Sequence, residues 1–273
     1  MDCDLDACYE AALDVAKKAA VLIREAYDAE KRIETKSSAA DLVTETDQAV
    51  EKLVISTLKA QFPTHSFIGE ESVAGGEKCV WTENPTWMID PIDGTTNFIH
   101  RFPYTCISIA LTVNKKTEIG VVYNPILDQM YTARAGKGAF CNGKKMSVTK
   151  TKDIGQALVC AEFGSDRDAK KMDTKIATKK RVIERCHGSR ELGSAALEMI
   201  FVAAGHLDGK VHHGIHCWDY AASSLMITEA GGVVLDSTGG PVDLMSRRVL
   251  CASTQELAEQ LVGLVEPIEY ERD

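Results

Sequence analysis

The apolar residues of this 273-residue chain change period repeatedly, from the three- and four-residue step of helices to the short runs of strands, with no long linker between. Leu5, Cys8, Ala12, Val15, Ala19, Leu22, Ile23 and Ala26 predict a first amphipathic helix. A polar stretch, Glu30 to Asp41, breaks the pattern, and Ala49, Val50, Leu53, Val54 and Leu58 mark a second helix that Pro63 ends. Ser66-Phe67-Ile68 and Trp87-Met88-Ile89 read as strands on either side of a Gly75-Gly76 loop, and 106–113, 119–123 and 129–133 as a meander. Helical patterns return over 173–186, 193–204 and 219–230, the last stopped by Gly231-Gly232. Segments 158–161, 233–235 and 249–252 read as strands, and Ser253 and Glu256 stand at capping-box spacing before a final helix. This interleaving, with no internal repeat, predicts one α/β unit over 1–273, with an antiparallel N-terminal half and a more mixed C-terminal half.

Charge narrows the function. The formal net charge is -9 and the one short basic run is Lys179-Lys180-Arg181. Nucleic-acid binders rely on Lys and Arg to displace counterions, so neither nucleic acid nor an anionic membrane is an expected partner. No secretory signal and no apolar run of the roughly 18 residues needed to cross a bilayer is recognised. The nine cysteines are scattered, with no Cys-x-x-Cys pair, which favours reduced thiols in a cytoplasmic protein over disulfides or zinc.

The densest chemistry lies in Trp87-Met88-Ile89-Asp90-Pro91-Ile92-Asp93-Gly94-Thr95-Thr96. A buried strand is expected to end at Pro91, which cannot donate a ladder hydrogen bond. Asp90 and Asp93 then converge one turn apart, Gly94 permits a tight turn, and Thr95 and Thr96 cap a short helix whose free N–H groups suit a phosphate. Asp, Pro and Gly are also ordinary turn residues, so this segment alone leaves a solvated turn and a site equally open. Its company favours the site. Gly69-Glu70-Glu71 follows another strand, Trp218-Asp219 stands where a helix begins, and Asp41-Leu42-Val43-Thr44-Glu45-Thr46-Asp47 adds carboxylates before the second helix. Acidic groups gathered at element ends repel one another, and a hard cation such as Mg²⁺, which prefers carboxylate and carbonyl oxygens, relieves that repulsion.

The same segments carry a resemblance. Asp90-Pro91-Ile92-Asp93-Gly94-Thr95 is similar to the Asp-Pro-hydrophobic-Asp-Gly-Thr signature of the inositol monophosphatase family. Trp218-Asp219-Tyr220-Ala221-Ala222, running to Glu229-Ala230-Gly231-Gly232, resembles its second signature. Gly69-Glu70-Glu71, 41–47 and 94–103 resemble further family segments in the same order, so the likeness covers nearly the whole chain. It implies a layered α/β/α/β/α sandwich and Mg²⁺-dependent hydrolysis of inositol monophosphates. It also implies two or three Mg²⁺ ions, inhibition by Li⁺ and a homodimer.

Carried over by position, Glu70, Asp90, Asp93 and the Ile92 carbonyl would hold magnesium, with Asp90 bridging two ions and Asp219 completing the second site. Asp47, Glu70 and Thr95 would be catalytic, Thr95 and Asp47 orienting and deprotonating the attacking water in an in-line reaction without a phosphoenzyme. Taken singly, Asp47 and Asp219 are ordinary helix-start acids and Glu70 an ordinary surface charge. Substrate contacts would come from Asp93, Gly94, Thr95, Gly193-Ser194-Ala195, His212 and Asp219; Ser194 reads equally as a helix cap. Lys36 matches a basic position near the family's active site, or is an exposed loop lysine. His212 departs from the family, which places there a glutamate that accepts hydrogen bonds from inositol hydroxyls. A histidine cannot be a fixed anionic acceptor, so altered affinity or a broader substrate range is expected. His212 and His216 read as polar loop residues rather than zinc ligands, since Gly214 interrupts them. The alternatives are a sister phosphatase for 3′-phosphoadenosine nucleotides, inositol polyphosphates or fructose bisphosphate, and a silent homologue that binds metal or a partner protein.

Overall fold

The computed structural model describes residues 3–36 and 42–273; Asp41 lies outside them. Helix α1 (Leu5–Tyr27) starts where the Asp4 carboxylate accepts the N–H groups of Asp6 and Ala7, and it buries the Cys8-to-Ile23 stripe. Strand β1 (Ile33–Thr35), inside what reads as a pattern-breaking polar stretch, pairs antiparallel with β2 (Leu42–Thr44), just after it. All three residues of β1 are exposed, so no apolar alternation announces it. Helix α2 (Glu45–Gln61) begins four residues before Ala49, because Thr44 and Asp47 close a capping box. Asp47 is thus within the first turn, not ahead of the helix.

Next come β3 (Ser66–Gly69), α3 (Glu70–Ala74), β4 (Thr86–Asp93), α4 (Thr95–Ile99), β5 (Cys106–Val113), β6 (Lys116–Asn124), β7 (Gln129–Arg134), β8 (Gly138–Cys141) and β9 (Lys144–Lys145). Their strands make a seven-stranded sheet in sequence order, antiparallel throughout except for the parallel β3–β4 pair. Contrary to expectation, β4 does not stop at Pro91. It runs to Asp93 because its register on β5 shifts between Asp90 and Asp93, which spares the ladder the missing N–H.

The second half contains β10 (Leu158–Ala161), α5 (Ala169–Ile183), β11 (Gly188–Arg190), α6 (Ala195–Ala203), β12 (Gly209–His213), α7 (Cys217–Glu229), β13 (Val233–Leu235), β14 (Arg248–Ala252) and α8 (Gln255–Val262). Its five strands lie in the order β11-β10-β12-β14-β13, parallel about β10 and antiparallel about β14, the mixed half foreseen from the sequence. Helix α8 is capped by Thr254, whose hydroxyl accepts the Leu257 N–H, and not by a Ser253–Glu256 box. Ser253 instead donates to Thr151 O, and Glu256 pairs with Lys152.

The layers follow from which faces are apolar. Helices α1 and α2 cover one face of the large sheet around Trp87, Ile89, Ile107 and Ile109. Helices α6 and α7 fill the space between the two sheets with Leu197, Ile200, Tyr220 and Met226. Helices α5 and α8 cover the outer face of the small sheet. The result is the expected α/β/α/β/α sandwich. Five cysteines, Cys8, Cys106, Cys160, Cys217 and Cys251, are buried as core residues, and no helix among the described residues is long and apolar enough to cross a membrane.

Candidate active site

One cavity of about 1300 Å³ opens where the end of β4 meets the starts of α3, α6 and α7. It is lined by Lys36, Glu70, Asp90, Ile92, Asp93, Gly94, Thr95, Gly193, Ser194, Ala195, His212 and Asp219. Asp47 stands behind Thr95, whose Oγ1 lies 3.2 Å from Asp47 Oδ1 and 3.1 Å from Ile92 O. Every expected site residue is therefore at this cavity or one hydrogen bond from it.

The turn after β4 sets the geometry. The Ile92 N–H donates to Asp90 Oδ1 at 3.0 Å, folding that carboxylate back over the bulge. Gly94 has φ +85°, and a Cβ there would meet Tyr104 O at 3.0 Å and Gly193 O at 3.1 Å, so only glycine lets the turn pass between those backbones. Gly94 is itself the cap of α4, with no side-chain capping bond, and the expected capping by Thr95 and Thr96 does not occur. Thr95 Oγ1 faces Asp47 instead.

Asp93 is embedded in the start of α6. Its Oδ2 accepts from the Ser194 hydroxyl and from Ala196 N–H at 2.8 Å, and Oδ1 accepts from Ala195 N–H at 3.0 Å. Ser194 also caps α6 by accepting from Leu197 N–H at 3.3 Å, so its two readings coexist. The amides of Ala195 and Ala196 are thus committed to Asp93, and that of Gly193 to Glu162 and Glu198, each at 3.2 Å. Asp219 lies in the first turn of α7, accepting the His216 N–H at 2.8 Å, while Ser108 Oγ anchors the turn through Trp218 O at 3.1 Å.

Electrostatics bear on what fits here. Burial, then Glu70, Asp93 and Asp219, push the Asp90 carboxyl well above its ordinary range. Burial, reinforced by Glu70 and Asp93 against the pull of His216, pushes Asp219 up to about 7. Burial likewise raises Asp93, against the donors of α6. Glu70, Asp90, Asp93 and Asp219, with the Ile92 carbonyl beside them, form an all-oxygen donor set that a hard divalent cation fits. Lys36 already counters part of the charge, its Nζ lying 2.7 Å from Glu70 Oε1 and 2.6 Å from Glu71 Oε1. Burial alone would lower the Lys36 ammonium, but Glu70 and Glu71 outweigh it and hold the group above the lysine range. It is no exposed loop lysine. Burial raises Asp47 to about 6, opposed by the Thr44 hydrogen bonds and assisted by Glu70.

His212 is not a loop residue either. It sits on β12, 8% exposed, with Nδ1 lacking a hydrogen-bond partner among the described residues. Burial, and the Lys210 ammonium next, hold its imidazole well below the usual range, so it is neutral. His213 is buried too, against Ser237 Oγ at 2.9 Å, and His216 is the N-cap residue of α7.

The sequence reading missed the polar layer behind this wall. Lys210, fully buried, pairs with Glu198 and donates to Ala195 O at 3.2 Å. Glu162 adjoins both and is raised first by burial and then by Glu198. The signal was present: one acid in the apolar run of α6 and one lysine in a short buried strand. Cys160, Glu162 and Glu198 also converge, but the Lys210 ammonium neutralises that cluster. Cys3, Cys8 and His65 form the other convergent set among the described residues. Trp87 Nε1 donates to His65 Nδ1 at 3.1 Å, which leaves the ring proton on Nε2, the nitrogen facing Cys3, and so disfavours a metal there. Neither set includes His212 or His216.

The sequence profile of the inositol monophosphatase family matches residues 4–270. Inositol monophosphatase 1 of Bos taurus is 51% identical over 269 residues, 97% of this chain and 96% of that protein. Inositol monophosphatase 1 of Homo sapiens is 49% identical over the same length and shares. The solved structure of an inositol monophosphatase from Anabaena matches with a TM-score of 0.83 at 30% identity, covering 97% of this chain and 99% of that one.

Proposed function

The chain belongs to the inositol monophosphatase family, and from that premise we propose that it hydrolyses inositol monophosphates to inositol and phosphate with Mg²⁺ held by Glu70, Asp90, Asp93, Asp219 and the Ile92 carbonyl. It is a phosphatase. The observation that carries the metal assignment is the convergence of mutually disfavoured, buried carboxyls on one cavity. When bound, Mg²⁺ supplies charge to neutralise phosphoryl oxygens and acidifies water at the site.

The chain's own residues do the rest. Thr95 Oγ1 orients the attacking water and relays its proton to Asp47 Oδ1, 3.2 Å away. Asp47, raised to about 6, is basic enough to take that proton near neutral pH. Glu70 holds charge on the water's side of the phosphate, and Lys36, whose Nζ is 2.7 Å from Glu70 Oε1, keeps it aimed. Gly94 and Thr95 contact the phosphate. Gly193, Ser194 and Ala195 form the rigid wall against which the ring is seated, braced by Lys210 and Glu198. His212 lines the cavity as a neutral imidazole and serves as a neutral partner for a ring hydroxyl. A neutral partner orients hydroxyls less strictly than a carboxylate, and the cavity exceeds the needs of one six-membered ring, which supports a broad substrate range.

The same reading makes the protein a cytoplasmic homodimer inhibited by Li⁺ through competition at a Mg²⁺ position. The test is phosphate release with and without Mg²⁺ from inositol 1-phosphate, 2′-AMP, fructose 1,6-bisphosphate and 3′-phosphoadenosine 5′-phosphate. Mg²⁺-dependent release strongest with inositol 1-phosphate is expected. A preference for another ester would keep the metal chemistry and move the substrate assignment, and no release from any would sink both.

A further inference from the structure

The first turn of α7 is held by a side chain from a distant segment, Asp273. Its Oδ1 lies 2.6 Å from His216 Nδ1, and its Oδ2 accepts the Cys217 N–H at 2.8 Å. The Asp273 side chain is only 4% exposed, and its own N–H donates to Met245 O at 3.1 Å. Arg247 donates to His216 Nε2 at 3.0 Å, so the ring carries its proton on Nδ1, facing Asp273. That ring stacks on Trp218 with centroids 4.6 Å apart and planes 4° from parallel.

His216 is also the residue whose backbone N–H donates to Asp219 Oδ2 at 2.8 Å. Asp273 and Asp219 therefore hold the same N-cap residue, one through its ring and the other through its backbone. The Cys217 N–H that Asp273 takes is one of the amides a helix start leaves without an internal partner, and a carboxylate there also meets the positive end of the helix dipole. Two contacts fix the segment that carries Asp273. Arg272 pairs with Asp243 at 2.5 and 3.1 Å. Tyr270 crosses Gly214, which has φ +86° and where a Cβ would lie 3.0 Å from the phenol oxygen.

We infer that Asp273 is a positioning residue for the metal site, locking His216 and the Cys217 amide so that the first turn of α7 keeps Asp219 aimed at the other carboxylates. This rests on the reading that those carboxylates hold Mg²⁺. A merely structural cap would lower stability and leave metal affinity alone, so affinity is the discriminating readout.

The experiment strips metal from the whole chain and compares wild type, Asp273→Ala and Asp273→Asn. Mn²⁺ binding is followed by electron paramagnetic resonance, Mg²⁺ binding by calorimetry, and unfolding by heating the metal-free proteins. Asp273→Ala is expected to weaken metal binding about fivefold, the scale of a lost helix cap. Asp273→Asn keeps the shape and one acceptor, and is expected to weaken it about threefold. The Mg²⁺ concentration giving half-maximal phosphate release should rise by the same factors, with kcat at saturating Mg²⁺ near wild type. Dissociation constants indistinguishable from wild type in both variants, whatever their unfolding temperatures, would overturn the inference. Wild type that bound neither ion would instead overturn the metal reading beneath it.

Discussion

At the scale of single residues, the site is read by removing one atom type at a time. Asp90→Asn keeps the shape of a side chain that already accepts from Ile92 N–H, yet removes the central charge of the cluster. Turnover should fall by at least about a hundredfold in a phosphate-release assay; near-normal activity would remove Asp90 from the metal assignment. Thr95→Val removes the hydroxyl 3.2 Å from Asp47 without changing bulk, and a loss of kcat of about a hundredfold or more is expected, with little change in metal affinity. His212→Glu places an anion where a neutral imidazole now leaves Nδ1 unpartnered. Sharpened preference for inositol 1-phosphate over 2′-AMP is the expected result, and an unchanged profile would take His212 out of substrate contact.

At the scale of elements, two buried polar groups set how α6 and β12 tolerate change. Glu198 on α6 and Lys210 on β12 form an ion pair in which both side chains are fully buried. Glu198→Gln should destabilise by about 3–5 kcal/mol in urea unfolding, because it leaves the ammonium without its charge partner. Lys210→Met with Glu198→Leu should cost less than the sum of the single changes, since neither charge remains to be stranded. His213, on the same strand, is pushed by burial, with Lys175 and Arg248 adding, from 6.5 down to about 4. Between those two values the unfolded chain binds a proton that the folded one does not. Stability should therefore be full above pH 6.5 and fall by about 3 kcal/mol as pH drops to 4. Denaturation curves over that window should flatten in His213→Asn if the assignment holds.

At the scale of the whole molecule, the cavity joins the end of β4 in the large sheet to the starts of α6 and α7, which lie between the sheets, and to β12 in the small sheet. A cation bound only in the assembled cavity stabilises the folded chain by mass action, about 2.7 kcal/mol at a hundredfold excess over its dissociation constant. Mg²⁺ should raise the unfolding temperature of the wild type, EDTA should reverse the shift, and Asp90→Asn should show neither effect. A wild-type transition insensitive to Mg²⁺ would contradict cation binding at the layer junction.

What was legible in the sequence was whatever repeats locally or carries a charge at an element end. The helical stripe of α1, the apolar strands of the meander and the glycine stop after α7 follow from period and turn chemistry, which depend on neighbours in the chain. Asp90, Asp93, Glu70 and Asp219 were legible as candidates because acids at three element ends form an unusual pattern, and the resemblance implied their roles. Exposed β1 left no pattern to read, and Pro91 pointed to a strand end that the bulge in β4 made unnecessary. His212 and Lys36, which read as loop residues in the sequence, are buried or partly buried at the cavity, and Asp273, which carries no sequence signal, is buried against a helix start supplied by a distant segment. Burial and the identity of a distant neighbour decide ionisation and aim, and neither is a property of local sequence, so those were settled only when the layers closed on one another.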